Sequence, residues 1–147
     1  MTFELHPNLL SKIFIIDLPI SRILMEDEKN YPWFFLVPRI PHISKLIDLP
    51  TEQEAQVFKE LSLLQKVVWK LFSPKQLNVA AIGNKTPQLH IHVIARFEND
   101  PAWPGTIWVH TERQQYDNQE KEQLIFQMKS LLERDYEFLF GKKYSKM

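Results

Sequence analysis

Cysteine is absent from the 147 residues, which excludes disulfides, thiolate nucleophiles and cysteine-ligated zinc. Only three glycines are present, against ten prolines; a collagen-like repeat is excluded, and no low-complexity tract or linker is visible. Neither sign of charge is in surplus: eighteen basic residues balance eighteen acidic ones. That argues against a general phosphate-backbone binder, so no nucleic acid partner is expected, while one local anion site stays open. Long apolar runs are also missing. Trp33-Phe34-Phe35-Leu36-Val37 falls far short of the ~20 residues a membrane-spanning helix needs. The start, Met1 to Pro7, has neither the basic opening nor the apolar stretch of a secretory signal. A cytoplasmic, membrane-free protein with one domain over residues 1–147 is expected.

What is present is strong local patterning. Ile13–Ile16 and Arg22–Met25 read as short strands. The second is joined to Trp33–Val37 by the polar turn Glu26 to Asn30, a hairpin pattern closed by Pro38 and Pro41. A helix is predicted from Thr51, with Thr51 and Glu54 as a capping box and Phe58, Leu61, Leu64, Val68 and Leu71 as its apolar stripe, ending at Ser73-Pro74. A second helix is predicted over about 117–139, starting at Asp117 with Glu120 three residues on. Its seam is Leu124, Met128, Leu131, Asp135 and Leu139. Leu77–Ile82 and Gln88–Phe97 supply further strands around the turn formers Gly83 to Pro87. Two one-sided helices and hairpin-linked strands imply an α+β fold with a mainly antiparallel sheet.

One segment carries chemistry. In Gln88-Leu89-His90-Ile91-His92-Val93-Ile94-Ala95-Arg96, strand alternation puts Gln88, His90, His92, Ile94 and Arg96 on one face and only apolar residues on the other. An imidazole near neutral pH can serve as nucleophile, proton carrier or metal ligand. Arg96 nearby would favour an anionic substrate. A zinc site needs about three or four ligands, and no compact His/Asp/Glu cluster supplies an obvious third one, so metal ranks below nucleophile. A purely structural pair of histidines is the remaining alternative.

The same segment resembles the His-x-His-x-His-apolar-apolar signature of the histidine triad (HIT) family of nucleotide hydrolases and transferases. Its flanks are similar too: Phe34 to Pro38 resembles a family strand ending in proline, Asn78 stands where an asparagine precedes the triad, and Trp103-Pro104-Gly105 resembles a segment that follows it. The likeness runs from about Arg22 to Gly105. It implies a five-stranded antiparallel sheet with packed helices, and usually a homodimer, for which Trp33–Val37 and the first helix are the expected surface. By the resemblance His90 is the nucleophile toward an α-phosphorus, His92 helps hold phosphate oxygens, and Asn78 positions nucleophile or ligand. Thr86 offers its hydroxyl and N–H to phosphate, and Asp27 lies in the hairpin that holds ribose hydroxyls. Arg96 and Trp103 complete the expected nucleotide contacts. No cofactor or metal is implied.

Two positions depart from the family pattern. The first triad histidine is Gln88, which can hydrogen-bond but cannot carry a proton near neutral pH. Trp33 occupies another position where the family often has histidine. The alternative function is therefore a non-catalytic nucleotide-binding module on the same fold. Trp103 and Trp108 read equally as a small satellite core or as a wall of the site. His6, His110 and the basic cluster Lys142, Lys143 and Lys146 read as solvated surface.

Overall fold

The computed structural model describes residues 2–141; Lys142, Lys143 and Lys146 lie outside the described residues. In chain order the elements are α1 (Pro7–Leu10), β1 (Ile13–Asp17), β2 (Ser21–Met25), β3 (Trp33–Pro38), α2 (Thr51–Phe72), β4 (Gln76–Ala81), β5 (Ile91–Arg96) and α3 (Asn118–Phe140). Single 3-10 turns lie at Leu46–Asp48 and Ile107–Val109. The five strands form one sheet in the order β1-β2-β3-β5-β4, with every neighbouring pair antiparallel. The α+β fold expected from the patterning is the fold observed. Among the described residues no helix is long and apolar enough to cross a membrane.

Strand alternation divides the apolar residues between two cores. Phe34, Leu36, Leu89, Ile91, Val93 and Ala95 face the long helices, packing with Val57, Leu64 and Val68 of α2 and Met128 and Leu132 of α3. Leu24, Trp33, Phe35, Val37 and Ile94 face the other way, where Leu9, Tyr31, Ala102 and Ile107 cover them and Phe3 and Leu5 pack alongside. Each fully buried aliphatic or aromatic side chain contributes about 1.5–3 kcal/mol, so both faces of the central strands are anchored.

The α3 capping box is present: Glu120 N–H donates to Asp117 Oδ1 at 2.8 Å and Asp117 N–H to Glu120 Oε1 at 3.1 Å. The box expected at Thr51 is not. Pro50 is the N-cap residue of α2, without a side-chain cap, and its carbonyl accepts from Gln53 and Glu54 N–H at 2.9 and 3.1 Å. The helix begins at Thr51 as expected, but with Pro50 as the cap, so Thr51 is already inside the first turn and its hydroxyl is misplaced for capping. Of the expected stripe Leu61, Leu64 and Val68 are buried, but Val57 is fully buried while Phe58 is 48% exposed. Likewise Leu132 and Tyr136 are buried in α3 while Leu139 is exposed.

Two acids sit within these helical seams. Glu60 accepts from Ile20 N–H, Ser21 N–H and the Gln56 amide, tying the β1–β2 turn to α2. Its burial pushes the carboxyl pKa up, with those bonds opposing. Asp135 meets Lys70 at 2.7 Å across the α2–α3 contact. Burial raises its pKa, but the Lys70 and Arg134 bonds outweigh that and hold it below the ordinary value.

Trp33–Val37 cannot be an interface surface as expected. β3 is the middle strand of the five, and all five of these residues are buried.

Candidate functional site

The ladder of β5 covers Ile91–Arg96, and Gln88 to His90 lead into it. The register places Phe35, His92 and Ala80 in one row across β3, β5 and β4, with Trp33, Ile94 and Asn78 in the next. Phe35 crowds the histidines from one side, its ring centroid 6.2 Å from His90 and 5.0 Å from His92. The two imidazoles are themselves 5.1 Å apart. Both are largely buried, at 7% and 6% exposure.

Their partners decide what each ring can do. His90 Nδ1 lies 2.7 Å from the Gln88 carbonyl oxygen. A carbonyl only accepts, so Nδ1 carries the proton and Nε2 carries the lone pair. Nε2 meets no hydrogen-bonding partner among the described residues. For His92 the pattern is reversed. The Trp33 indole N–H donates to His92 Nδ1 at 3.0 Å, so the His92 proton sits on Nε2. Burial first, then the neighbouring His90 and Lys12, lower the His92 pKa from 6.5 to about 4, so this ring is neutral at physiological pH. Side by side, one imidazole thus presents a lone pair and the other a fixed N–H donor.

Trp108 closes one flank, its ring edge-on to His92 at 5.2 Å and to Trp33 at 6.2 Å. It is still 38% exposed, so it forms a wall rather than part of a closed core. Lys12 brings a cation near the site. It is paired with Glu26 at 2.6 Å and stands 5.5 Å from the Phe35 ring centroid.

The remaining sequence-predicted residues fall into three groups. Gln88 and Thr86 meet the N-terminal segment: the Gln88 amide accepts from His6 N–H at 2.9 Å and donates to the Glu4 carbonyl at 2.8 Å, and Thr86 Oγ1 accepts from the Asn8 amide at 3.0 Å. Asn78, Arg96 and Trp103 form a second group. Arg96, with a side chain 2% exposed, pairs with Asp100 and donates to Asn78 Oδ1 at 2.7 Å and the Gly105 carbonyl at 2.8 Å. Its guanidinium carbon also stands 5.8 Å from the Trp103 ring centroid. Burial raises the Asp100 pKa, yet the Arg96 bond and backbone N–H donors bring it below the ordinary value. Arg96 therefore faces protein groups that already match its charge and donors. Asp27 stands apart from both groups, accepting from Tyr116 N–H at 3.0 Å and pairing with Lys121 at 3.0 Å.

Three contributors were not expected from the sequence. Trp33 is a donor to His92 across 59 positions. The 4–8 segment, read as mere surface at His6, contacts both Gln88 and Thr86; the His6 ring also caps α1 by accepting from Asn8 N–H at 3.0 Å. The third is Lys12, beside Phe35. For a metal, no group of three or more candidate His, Asp or Glu ligands exists among the described residues.

Comparison with known proteins gives a consistent result. The family model described as "HIT domain" matches residues 10–99. A histidine triad protein from Bradyrhizobium japonicum is 37% identical, with 90% of this chain and 99% of that one aligned at a TM-score of 0.86. One from Marinobacter aquaeolei VT8 is 33% identical over 91% and 98% of the two chains, also at 0.86. A third, from Sinorhizobium meliloti 1021, is 29% identical over 88% and 96%, at 0.83. No curated protein matches the chain.

Proposed function

Because the chain belongs to the histidine triad family, we propose that it is a nucleotide hydrolase or transferase acting at an α-phosphorus through a nucleotidyl-histidine intermediate. The observation that carries this reading is the 2.7 Å contact between His90 Nδ1 and the Gln88 carbonyl, which leaves Nε2 as a base-free lone pair beside a neutral N–H donor.

In the first step the His90 Nε2 lone pair forms a bond to phosphorus, and the bond from phosphorus to the leaving group breaks with its electron pair. The His92 Nε2–H faces developing charge on a phosphoryl oxygen, a fixed donor of the kind that lowers such barriers. In the second step water, or another acceptor, forms the new bond to phosphorus, the phosphorus–nitrogen bond returns its electrons to His90 Nε2, and the proton the acceptor loses passes to solvent. Splitting one displacement in two is the advantage of a covalent nucleophile. Gln88 cannot protonate the leaving group, and its amide is already bonded to the 4–6 segment. The preferred substrates are therefore those whose leaving group departs unprotonated: a dinucleoside polyphosphate ahead of a phosphoramidate. Asn78, Arg96 and Trp103 act through the loop that presents Trp108, and Thr86 and Asp27 are the remaining contacts assigned to phosphate and ribose.

Rapid quenching with a dinucleoside polyphosphate, followed by mass spectrometry, tests the reading. A mass increase of one nucleotidyl group on the peptide holding His90, absent from His90→Ala, is the expected result. Saturable nucleotide binding without adduct or turnover would instead establish the second reading, a non-catalytic nucleotide-binding module, which the occupied amide of Gln88 favours. Pairing of two copies belongs to the same proposal. β4 is an edge strand, and Val79, Ile82 and Trp69 around it are exposed apolar residues that a partner would cover.

A further inference from the structure

Over residues 110–117 the chain has no regular secondary structure, yet this strap is tied at several points to the turn between β2 and β3. Lys29 N–H donates to the Gln114 carbonyl at 2.6 Å and Tyr116 N–H to Asp27 Oδ1 at 3.0 Å. Glu28 makes the remaining ties. Its side chain is fully buried, and Oε2 accepts from Asn30 N–H at 2.8 Å and from Gln114 N–H at 3.3 Å. Oε1 has no hydrogen-bond partner among the described residues. It pairs instead with Arg113, whose Nε stands 3.6 Å away. A carboxylate taken out of water destabilises the fold unless a cation stays beside it, so Glu28 fixes where the Arg113 charge lies.

That place is over Trp33. The guanidinium carbon is 5.5 Å from the indole ring centroid, inside the roughly 6 Å within which a cation is attracted to such a ring. Arg113 is also held by the strap itself, with Nη1 donating to the His110 carbonyl at 2.6 Å. The Trp33 indole N–H in turn donates to His92 Nδ1 at 3.0 Å. Glu28, Arg113, Trp33 and His92 thus form an unbroken series from the strap to the histidine row. A positive charge over the ring draws electron density from it, which leaves the N–H more positive and a stronger donor. We propose that Arg113, lodged by Glu28, is a positioning residue for His92: it strengthens the Trp33 bond that keeps the lone pair of that ring on Nδ1 and its proton on Nε2. This rests on the donor role given to His92 above, but the bond itself is measured without turnover.

The test is proton and nitrogen NMR at neutral pH. Arg113→Met keeps the aliphatic stem and removes the charge, and Arg113→Lys restores a charge. In Arg113→Met the Trp33 indole proton, assigned by its loss in Trp33→Phe, should move upfield. His92 Nδ1 should move toward the shift of an unbonded ring nitrogen, and Arg113→Lys should recover most of both changes. Should an unpaired Glu28 unfold Arg113→Met, the double variant Glu28→Gln/Arg113→Met removes both charges and must show the same shifts. Resonances that stay in place, or that move alike in Arg113→Met and Arg113→Lys, would reduce Arg113 to a pin for the strap and overturn the proposal. With a dinucleoside polyphosphate, kcat should fall about two- to fivefold in Arg113→Met, the range set by one exposed cation–π contact. KM should not change, and Arg113→Lys should recover the rate; an unaltered kcat in an active protein would also overturn the proposal. Wild-type protein that turns over no substrate rejects the catalytic reading instead, and the resonances alone then decide the role of Arg113.

Discussion

An indole N–H donates and never accepts, so Trp33 holds His92 with its proton on Nε2 whenever that ring is neutral. A histidine at position 33 could reverse the arrangement by titrating; tryptophan cannot. The pH dependence follows from the sign of the shift. The His92 pKa falls from 6.5 to about 4 on folding, so the unfolded chain takes up its proton first. Stability from this residue is complete above pH 6.5 and is lost as pH falls toward 4, by roughly 3 kcal/mol in all. Trp33→Phe keeps the packing but leaves a buried acceptor unpaired, at a cost of about 1–3 kcal/mol. Denaturant unfolding should therefore show the variant weaker than wild type at pH 8, with the gap closing by pH 4. Nitrogen NMR of the His92 ring should at the same time show mixed tautomers. A gap that stays constant with pH would contradict the assigned bond.

At the scale of elements, the β5 end at Arg96 holds the loop that carries Trp108. Arg96 and Asp100 form an ion pair with both side chains 2% exposed, and Asp100 also accepts from Phe97, Ala102 and Trp103 N–H groups. Removing one partner of such a pair costs about 3–5 kcal/mol, because the other charge stays buried. Asp100→Ala should show that loss in chemical unfolding, and Trp108 fluorescence should shift as its ring leaves His92. How far these elements could be read in the sequence follows from the range of the interactions. Period-two alternation from Gln88 to Arg96 and the Asp117–Glu120 cap are local, and both were legible. The start of α2 at Thr51 was legible too, but its cap was not, because Pro50 and Thr51 are both acceptable N-cap positions, and only tertiary packing put Val57 rather than Phe58 inward. The Trp33–His92 bond and the Gln88 clasp on residues 4–6 join positions 59 and more than 80 apart. No periodicity encodes such contacts, so the sequence named the histidines but not what orients them.

For the whole molecule, the sheet separates two tasks: helices cover one face for stability, and the other carries the histidines beneath a thinner cover of loops and the N-terminal segment. The proposed pairing of copies belongs at this scale. Sedimentation equilibrium at micromolar concentration should give twice the mass of one chain, and Val79→Lys, which puts a charge on the exposed β4 edge, should shift the distribution to single chains. A wild-type protein that sediments as one chain would rule pairing out.

β5 has hydrogen-bonded neighbours on both sides, β3 and β4, and its side chains alternate between the two cores. Deleting a single residue just before His90 would therefore do more than displace one imidazole. Every side chain of the ladder beyond it would invert, turning the His92 imidazole toward the helices and valine and isoleucine toward the opposite face. The histidine row and the core are set by the same parity, so this strand can tolerate exchange of its letters but not a change in their number.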